Sequence, residues 1–181
     1  MVTPVSHLFK NKAIADFISK NSDFLEAREI TSQLFFKNTT HYHIDFDLNL
    51  GFTKEQINFL KERVKPRDEI LTLTFQASKD CEKVLIEDGK YKPNSRILTL
   101  KEQIQNTKNS IKIVKDIVGS HRLIGIENNN FFNTGAYDIS TSLDYLLSVL
   151  EFSDLHLLLD IAHAQISCFN KNIDYVLYIN S

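Results

Sequence analysis

The chain has 181 residues, 43% of them apolar and 24% charged, with a formal net charge of −2. That is enough chain for one substantial core and short for two, so a single domain over residues 1–181 is expected. Lys and Arg are scattered, which offers neither nucleic acid nor an anionic membrane an electrostatic footprint. The opening MVTPVSHLFKNK lacks the apolar core of a signal peptide and no apolar run approaches membrane-spanning length, so a cytoplasmic protein is expected. Cys81 and Cys168 are then free thiols. The glycines (Gly51, Gly89, Gly119, Gly125, Gly135) form neither GxGxxG nor GxxxxGK, and no GxSxG is present. Dinucleotide, P-loop and hydrolase-elbow chemistry are disfavoured.

In chain order, Val2 to Val5 reads as a short first strand, weakened by Pro4. Leu8, Ala13, Ile14, Phe17 and Ile18 give His7 to Ser19 helical spacing, and Asp23 to Ile30 reads as a second strand with Glu26 and Glu29 near its end. His41 to Leu50 alternates: Tyr42, Ile44, Phe46, Leu48 and Leu50 share one face, and His41, His43, Asp45, Asp47 and Asn49 the other. Such a polar face either meets water, the commoner case, or lines a polar barrel interior. Thr53 with Gln56 makes a capping box, opening a helix that Pro66 ends. Glu69 to Phe75 is rich in β-branched and aromatic residues and reads as a strand, while the polar stretch from Gln76 to Ser95 is expected to be a long loop.

Thr99 with Glu102 forms a second capping box, and its helix stops at Gly119. His121 to Asn128 reads as a strand ending in the carboxylate of Glu127, followed by a loop to Ser140. Ser140 is expected to begin a helix carrying Leu143, Leu146, Leu147 and Leu150 at i, i+3, i+4 and i+7. Leu157 to Leu159 is a short apolar run closed by Asp160, which reads as a buried parallel strand, with His163 three residues on. Ile173 to Ile179 is helical or irregular. Asp160 and His163 are candidates for a metal or acid–base site at the C-terminal rim of a sheet, where α/β folds place their chemistry. Asp160 is equally a candidate N-cap, and His163 a hydrogen-bonded core residue.

Strand and helix alternate, which means a parallel sheet with helical cover. An open doubly wound sheet and a (β/α)8 barrel both fit. Strand ends at Glu26, Glu127 and Asp160, with the polar face His43/Asp45/Asp47, favour the barrel. About six βα units are present, so the expected fold is α/β, an incomplete TIM-barrel type short of about two strands. Its unpaired edges call either for a homodimer that buries them or for a longer parent chain.

Glu127-Asn128-Asn129-Asn130-Phe131-Phe132 closes one of these strands; Leu157 to His163 comes about 30 residues later, then Asn170 to Asp174. In content and spacing these blocks resemble those of the multinuclear non-heme iron-dependent oxidases, xylose-isomerase-like TIM barrels of the methanobactin-biosynthesis type, once a domain of unknown function. Glu26 and Leu48 to Gly51 match upstream blocks of the same family. The resemblance implies that Glu127 and Asp160 bind iron. It also implies that iron and dioxygen modify a cysteine-containing peptide, with a partner protein presenting it. The departures are specific: the family's third-strand His falls at Ile44 unless a one-residue slip brings in His43, and its fourth-strand His has no counterpart in Leu73-Thr74-Phe75-Gln76.

His163 gives Asp-x-x-His, which resembles the wider superfamily of sugar isomerases, epimerases and endonuclease-IV-type enzymes that bind divalent metal. The ligand set expected is thus Glu127, Asp160 and His163 with His43 as a fourth, and Glu26 and Asp45 as acid–base or supporting groups. Iron is the expected cofactor, with zinc or manganese as alternatives. The functional alternatives are a peptide-modifying iron oxidase, a one-metal sugar isomerase or epimerase, and a non-catalytic degenerate barrel acting as a binding module.

Overall fold

The structure is a computed structural model that describes residues 2–4, 11–29, 36–151 and 154–180. Six parallel strands form one sheet: β1 (Val2–Pro4), β2 (Phe24–Arg28), β3 (Thr39–Asp47), β4 (Thr72–Gln76), β7 (Leu123–Glu127) and β8 (His156–Leu158), in that spatial order. The order follows the sequence and never reverses, as it would at the switch point of a doubly wound sheet. The sheet is open. Among the described residues β1 and β8 each pair with one neighbour only.

Helices follow the strands. α1 (Lys12–Lys20) starts at Asn11, whose Oδ1 accepts from the Ala13 amide at 2.9 Å. α2 (Lys54–Phe59) carries the Thr53/Gln56 capping box and continues as a π turn, Leu60–Val64. Buried Arg122 ties down the segment where that turn ends, donating to Val64 O at 3.1 Å and Arg67 O at 3.0 Å. α3 (Leu100–Val118) carries the Thr99/Glu102 box and ends at Gly119, whose φ of 90° only glycine adopts without strain. α4 (Leu143–Glu151), α5 (Ile161–Lys171) and α6 (Tyr175–Asn180) complete the chain.

The core lies on one face of the sheet. Tyr42, Ile44, Leu73, Phe75, Ile124 and Ile126 pack there against Val64, Ile111, Val114, Tyr145 and Val149. Strand alternation sends the intervening residues to the opposite face. Register puts Glu26 beside His41, His43 beside Thr74, Thr74 beside Gly125, and Asp47 beside Gln76. That face is polar, yet His41, His43, Thr74, Gln76 and Glu127 are buried on it. His41, His43 and Asp47 of β3 thus meet donors and acceptors on neighbouring segments rather than open water, while Asp45 remains part-exposed.

Four further expectations are corrected. The stretch 76–95 is not all loop but holds a hairpin, β5 (Val84–Glu87) and β6 (Lys90–Pro93), turned by Asp88 and Gly89 at φ 50° and 72°. Residues 48–50, expected to extend the third strand, form a 3-10 turn. The helix expected from Ser140 begins at Leu143, because the Ser140 amide is engaged by Asp80 while Ser142 Oγ accepts from Tyr145 N at 3.1 Å. β8 is not a buried strand. Leu157 is 42% and Leu159 43% exposed, since α4 and α6 cover that outer strand only partly. Val5, His7 to Lys10 and Ile30, included in the expected first elements, lie outside the described residues. No helix among the described residues is long and apolar enough to cross a membrane, and both cysteines are free and buried.

Candidate metal centre

The C-terminal rim gathers Glu127, Asp160 and His163 so that one ligand atom from each lies within 4.8 Å of the others. Glu127 is the last residue of β7 and is buried. Asp160 follows β8 and is the N-cap of α5, its Oδ1 accepting from His163 N at 3.0 Å. The capping role and the cluster role thus coincide: the cap fixes the carboxylate at the rim, and its other oxygen, Oδ2, lies 3.9 Å from His163 Nδ1. Glu127 Oε1 is 4.0 Å from the same nitrogen.

Asn128 locks this corner. Its amide nitrogen donates to Asp160 O at 2.9 Å and its oxygen accepts from Asp160 N at 2.6 Å, a two-point clamp that ties the end of β7 to the residue after β8. Its own carbonyl accepts from His163 Nδ1 at 2.8 Å. That hydrogen bond places the ring proton on Nδ1, so for Nδ1 to ligate a cation the imidazole must change tautomer and turn from the carbonyl.

His43 stands beside the cluster but not in it: its Nε2 is 3.5 Å from Glu127 Oε2 and 3.6 Å from Asp45 Oδ1. Between His43 and Glu127 sits Gln76, whose Nε2 is 2.7 Å from His43 Nε2 and donates to Glu127 Oε2; its Oε1 accepts from Asn129 Nδ2. Glu26 is not at the rim. It is ion-paired with Arg28 at 2.9 Å and lies 3.1 Å from His41 Nδ1, while His41 Nε2 and His43 Nδ1 meet the same hydroxyl, Thr74 Oγ1, at 2.8 and 2.9 Å. Burial pushes the Glu26 carboxyl up, but the hydrogen bonds and charges of His41 and Arg28 outweigh it and hold the group down at about 2.

Asp45 is displaced from the ladder by a bulge: from His43 to Asp47 is four steps along β3, against two along β4 from Thr74 to Gln76. It lines a cleft of about 480 Å³ with Asp47, Phe52, Thr53, Lys79 and Glu82, and its buried Oδ2 has no hydrogen-bond partner among the described residues. Asp47 is engaged by Lys79 Nζ and the Ser78 amide. A second hollow of about 300 Å³ lies between the hairpin and the 128–137 loop, lined by Tyr91, Asn129, Asn130, Phe132 and Tyr137.

Glu127 is a buried carboxylate whose ion-pair partners within 4.0 Å, among the described residues, are two imidazoles. A buried carboxylate with no fixed cation is costly unless a cation is supplied. Two carboxylates and an imidazole are a donor set that suits zinc, manganese or iron.

Sequence reasoning singled out Glu127, Asp160 and His163, which the structure brings together at the rim, and His43, which stands beside that group and not in it. It missed Gln76, Asn128 as a clamp, Thr74 and Asp80. Asp80 is fully buried beneath the rim and accepts from Ile139 N, Ser140 N and Gln103 Nε2 at 2.8, 2.7 and 3.2 Å. Nothing local in the sequence distinguishes it.

No family model matches the sequence, and no curated protein matches it. The fold and site define an α/β protein with a parallel sheet and a carboxylate–histidine group at its C-terminal rim.

Proposed function

We propose that this chain is a metal-dependent protein of incomplete TIM-barrel type in which Glu127, Asp160 and His163 bind iron, and that it oxidises a peptide substrate. The observation that carries the metal assignment is the convergence of those three ligand groups at the rim. The unreversed strand order and a polar sheet face opposite the helical cover support the barrel type. Iron and a cysteine-containing peptide, presented by a partner protein, rest on the sequence resemblance over residues 124–174. Glu127, Asp160 and His163 would hold the iron, which would supply redox chemistry there. The protein's own residues hold the carboxylates in place (Asn128 on Asp160, Gln76 on Glu127), and the 480 Å³ cleft beside Asp45 gives a substrate access to the rim. The open edges of β1 and β8 are covered by a second copy of the chain in the same reading.

A second reading is favoured by one observation: among the described residues there is a single three-residue ligand group, and the fourth-strand His of the resembled family has no counterpart in Leu73-Thr74-Phe75-Gln76. One ion on two carboxylates and a histidine suits a divalent-metal sugar isomerase or epimerase. Elemental analysis of the purified protein by plasma mass spectrometry separates them. Near-stoichiometric iron, lost in Glu127→Gln and Asp160→Asn, is the expected result. Zinc or manganese lost the same way would move the assignment to the isomerase-like reading. A folded wild type without metal would contradict both and leave a binding module.

A further inference from the structure

With both imidazoles neutral, the hydrogen bonds behind His43 run in one direction. Gln76 Nε2 faces Glu127 Oε2, and an ionised carboxylate only accepts, so the amide orientation of Gln76 is fixed with its NH2 toward both Glu127 and His43. Its oxygen correspondingly accepts from Asn129. His43 Nε2, 2.7 Å from that NH2, must then be the bare, accepting nitrogen, and the ring proton sits on Nδ1. Nδ1–H donates to Thr74 Oγ1 at 2.9 Å. The Thr74 hydroxyl has one proton to give, and it goes to His41 Nε2 at 2.8 Å. His41 in turn carries its proton on Nδ1 and points it at Glu26 Oε2, 3.1 Å away, where Arg28 anchors the other carboxylate oxygen.

We propose that Glu26, His41 and Thr74 form a tautomer lock: a one-way hydrogen-bond chain across β2, β3 and β4 that keeps the lone pair of His43 Nε2 facing the Glu127 side of the rim. The lock makes His43 a donor to whatever cation enters beside Glu127, with the Gln76 amide as the group it displaces. This rests on the metal reading above, but the tautomer itself is a property of the metal-free protein. The geometry was built for it at a second place. Gly125 lies beside Thr74, and a Cβ there would stand 3.0 Å from Thr74 Cγ2 and 3.2 Å from His156 O. A side chain at 125 would press on the hydroxyl-bearing rotamer that joins the two rings. Histidines that bind metal characteristically donate their second ring N–H to a protein acceptor, and loss of that acceptor lowers metal affinity about 10–100-fold.

The experiment is nitrogen-15 NMR of the full chain, histidine-labelled and metal-free, for wild type, Thr74→Val and Thr74→Ser, with His43 assigned by substitution. It is followed by Zn²⁺ and Fe²⁺ titration of each. In the wild type His43 is expected bare at Nε2 and protonated at Nδ1. Thr74→Val, which keeps the shape and removes the hydroxyl, leaves the Gln76 amide alone to hold the tautomer; it is expected to raise the fraction of His43 in the Nε2–H form and to weaken metal binding about tenfold or more. Thr74→Ser is expected to restore both. A wild-type His43 protonated at Nε2, or a Thr74→Val protein with unchanged His43 tautomer, overturns the lock. Failure of the metal assignment shows up elsewhere, as titrations indifferent to Glu127→Gln and Asp160→Asn while the tautomer shift remains.

Discussion

Asp80 offers the sharpest test of how the rim is held. Its carboxylate is fully buried and ties the Ile139 and Ser140 amides to the segment after β4, while Asp80 N donates to Ala136 O at 2.8 Å. Asp80→Ala removes the acceptor of two backbone N–H groups; Gln103 Nε2 keeps Leu98 O at 3.2 Å. An unpartnered buried N–H costs about 1–3 kcal/mol, and bonds to a charged acceptor sit at the upper end, so the pair amounts to about 4 kcal/mol. Asp80→Asn retains one acceptor oxygen and forfeits one bond, at about 2 kcal/mol. Against a total stability of about 5–15 kcal/mol these are large effects. Urea unfolding followed by far-UV circular dichroism reads them: with a slope of about 2 kcal/mol/M, the midpoint falls by about 1 M for Asn and about 2 M for Ala. Amide exchange from Asn129 to Ser140 should quicken in the same order. An Ala variant within about 1 kcal/mol of wild type, or an Asn variant as damaged as Ala, would refute the clamp.

Two further predictions concern the network around the site. Glu26 is held down at about 2 from an ordinary 4.5, so its contribution is present above about pH 4.5 and is lost as the pH falls toward 2. After allowance for its partial solvent exposure this is on the order of 1–3 kcal/mol; the acid limb of a stability–pH profile should flatten in Glu26→Gln, and an unchanged limb would contradict the ion-pair assignment. Asn128→Ala removes the clamp on both backbone groups of Asp160. It should weaken divalent-metal binding about 10-fold or more in a competition titration, with wild-type affinity as the contrary result.

What was legible in the sequence was local. Both capping boxes, Thr53 with Gln56 and Thr99 with Glu102, are three residues wide and formed as read. So did the grouping of Asp160 with His163, because a helix N-cap sets their spacing. The Asp88-Gly89 turn was equally local, and flanking Val84–Glu87 and Lys90–Pro93 mark it as a hairpin that polar composition alone obscures. The rest depended on register. Thr74 joins His41 and His43 only because β3 and β4 align His43 with Thr74, and the bulge that follows brings Gln76 opposite Asp47 rather than Asp45. A run of leucines at 157–159 states that the residues are apolar. It does not state whether anything lies over them.

The central claim is that a cation sits among Glu127, Asp160 and His163. Anomalous diffraction from a crystal of the protein grown with Fe²⁺, Zn²⁺ or Mn²⁺ tests it directly. A peak about 2.0–2.3 Å from the Glu127 and Asp160 oxygens and a His163 ring nitrogen is the predicted result. Ordered density with all three side chains in place and the anomalous signal absent, or located elsewhere on the chain, would contradict it.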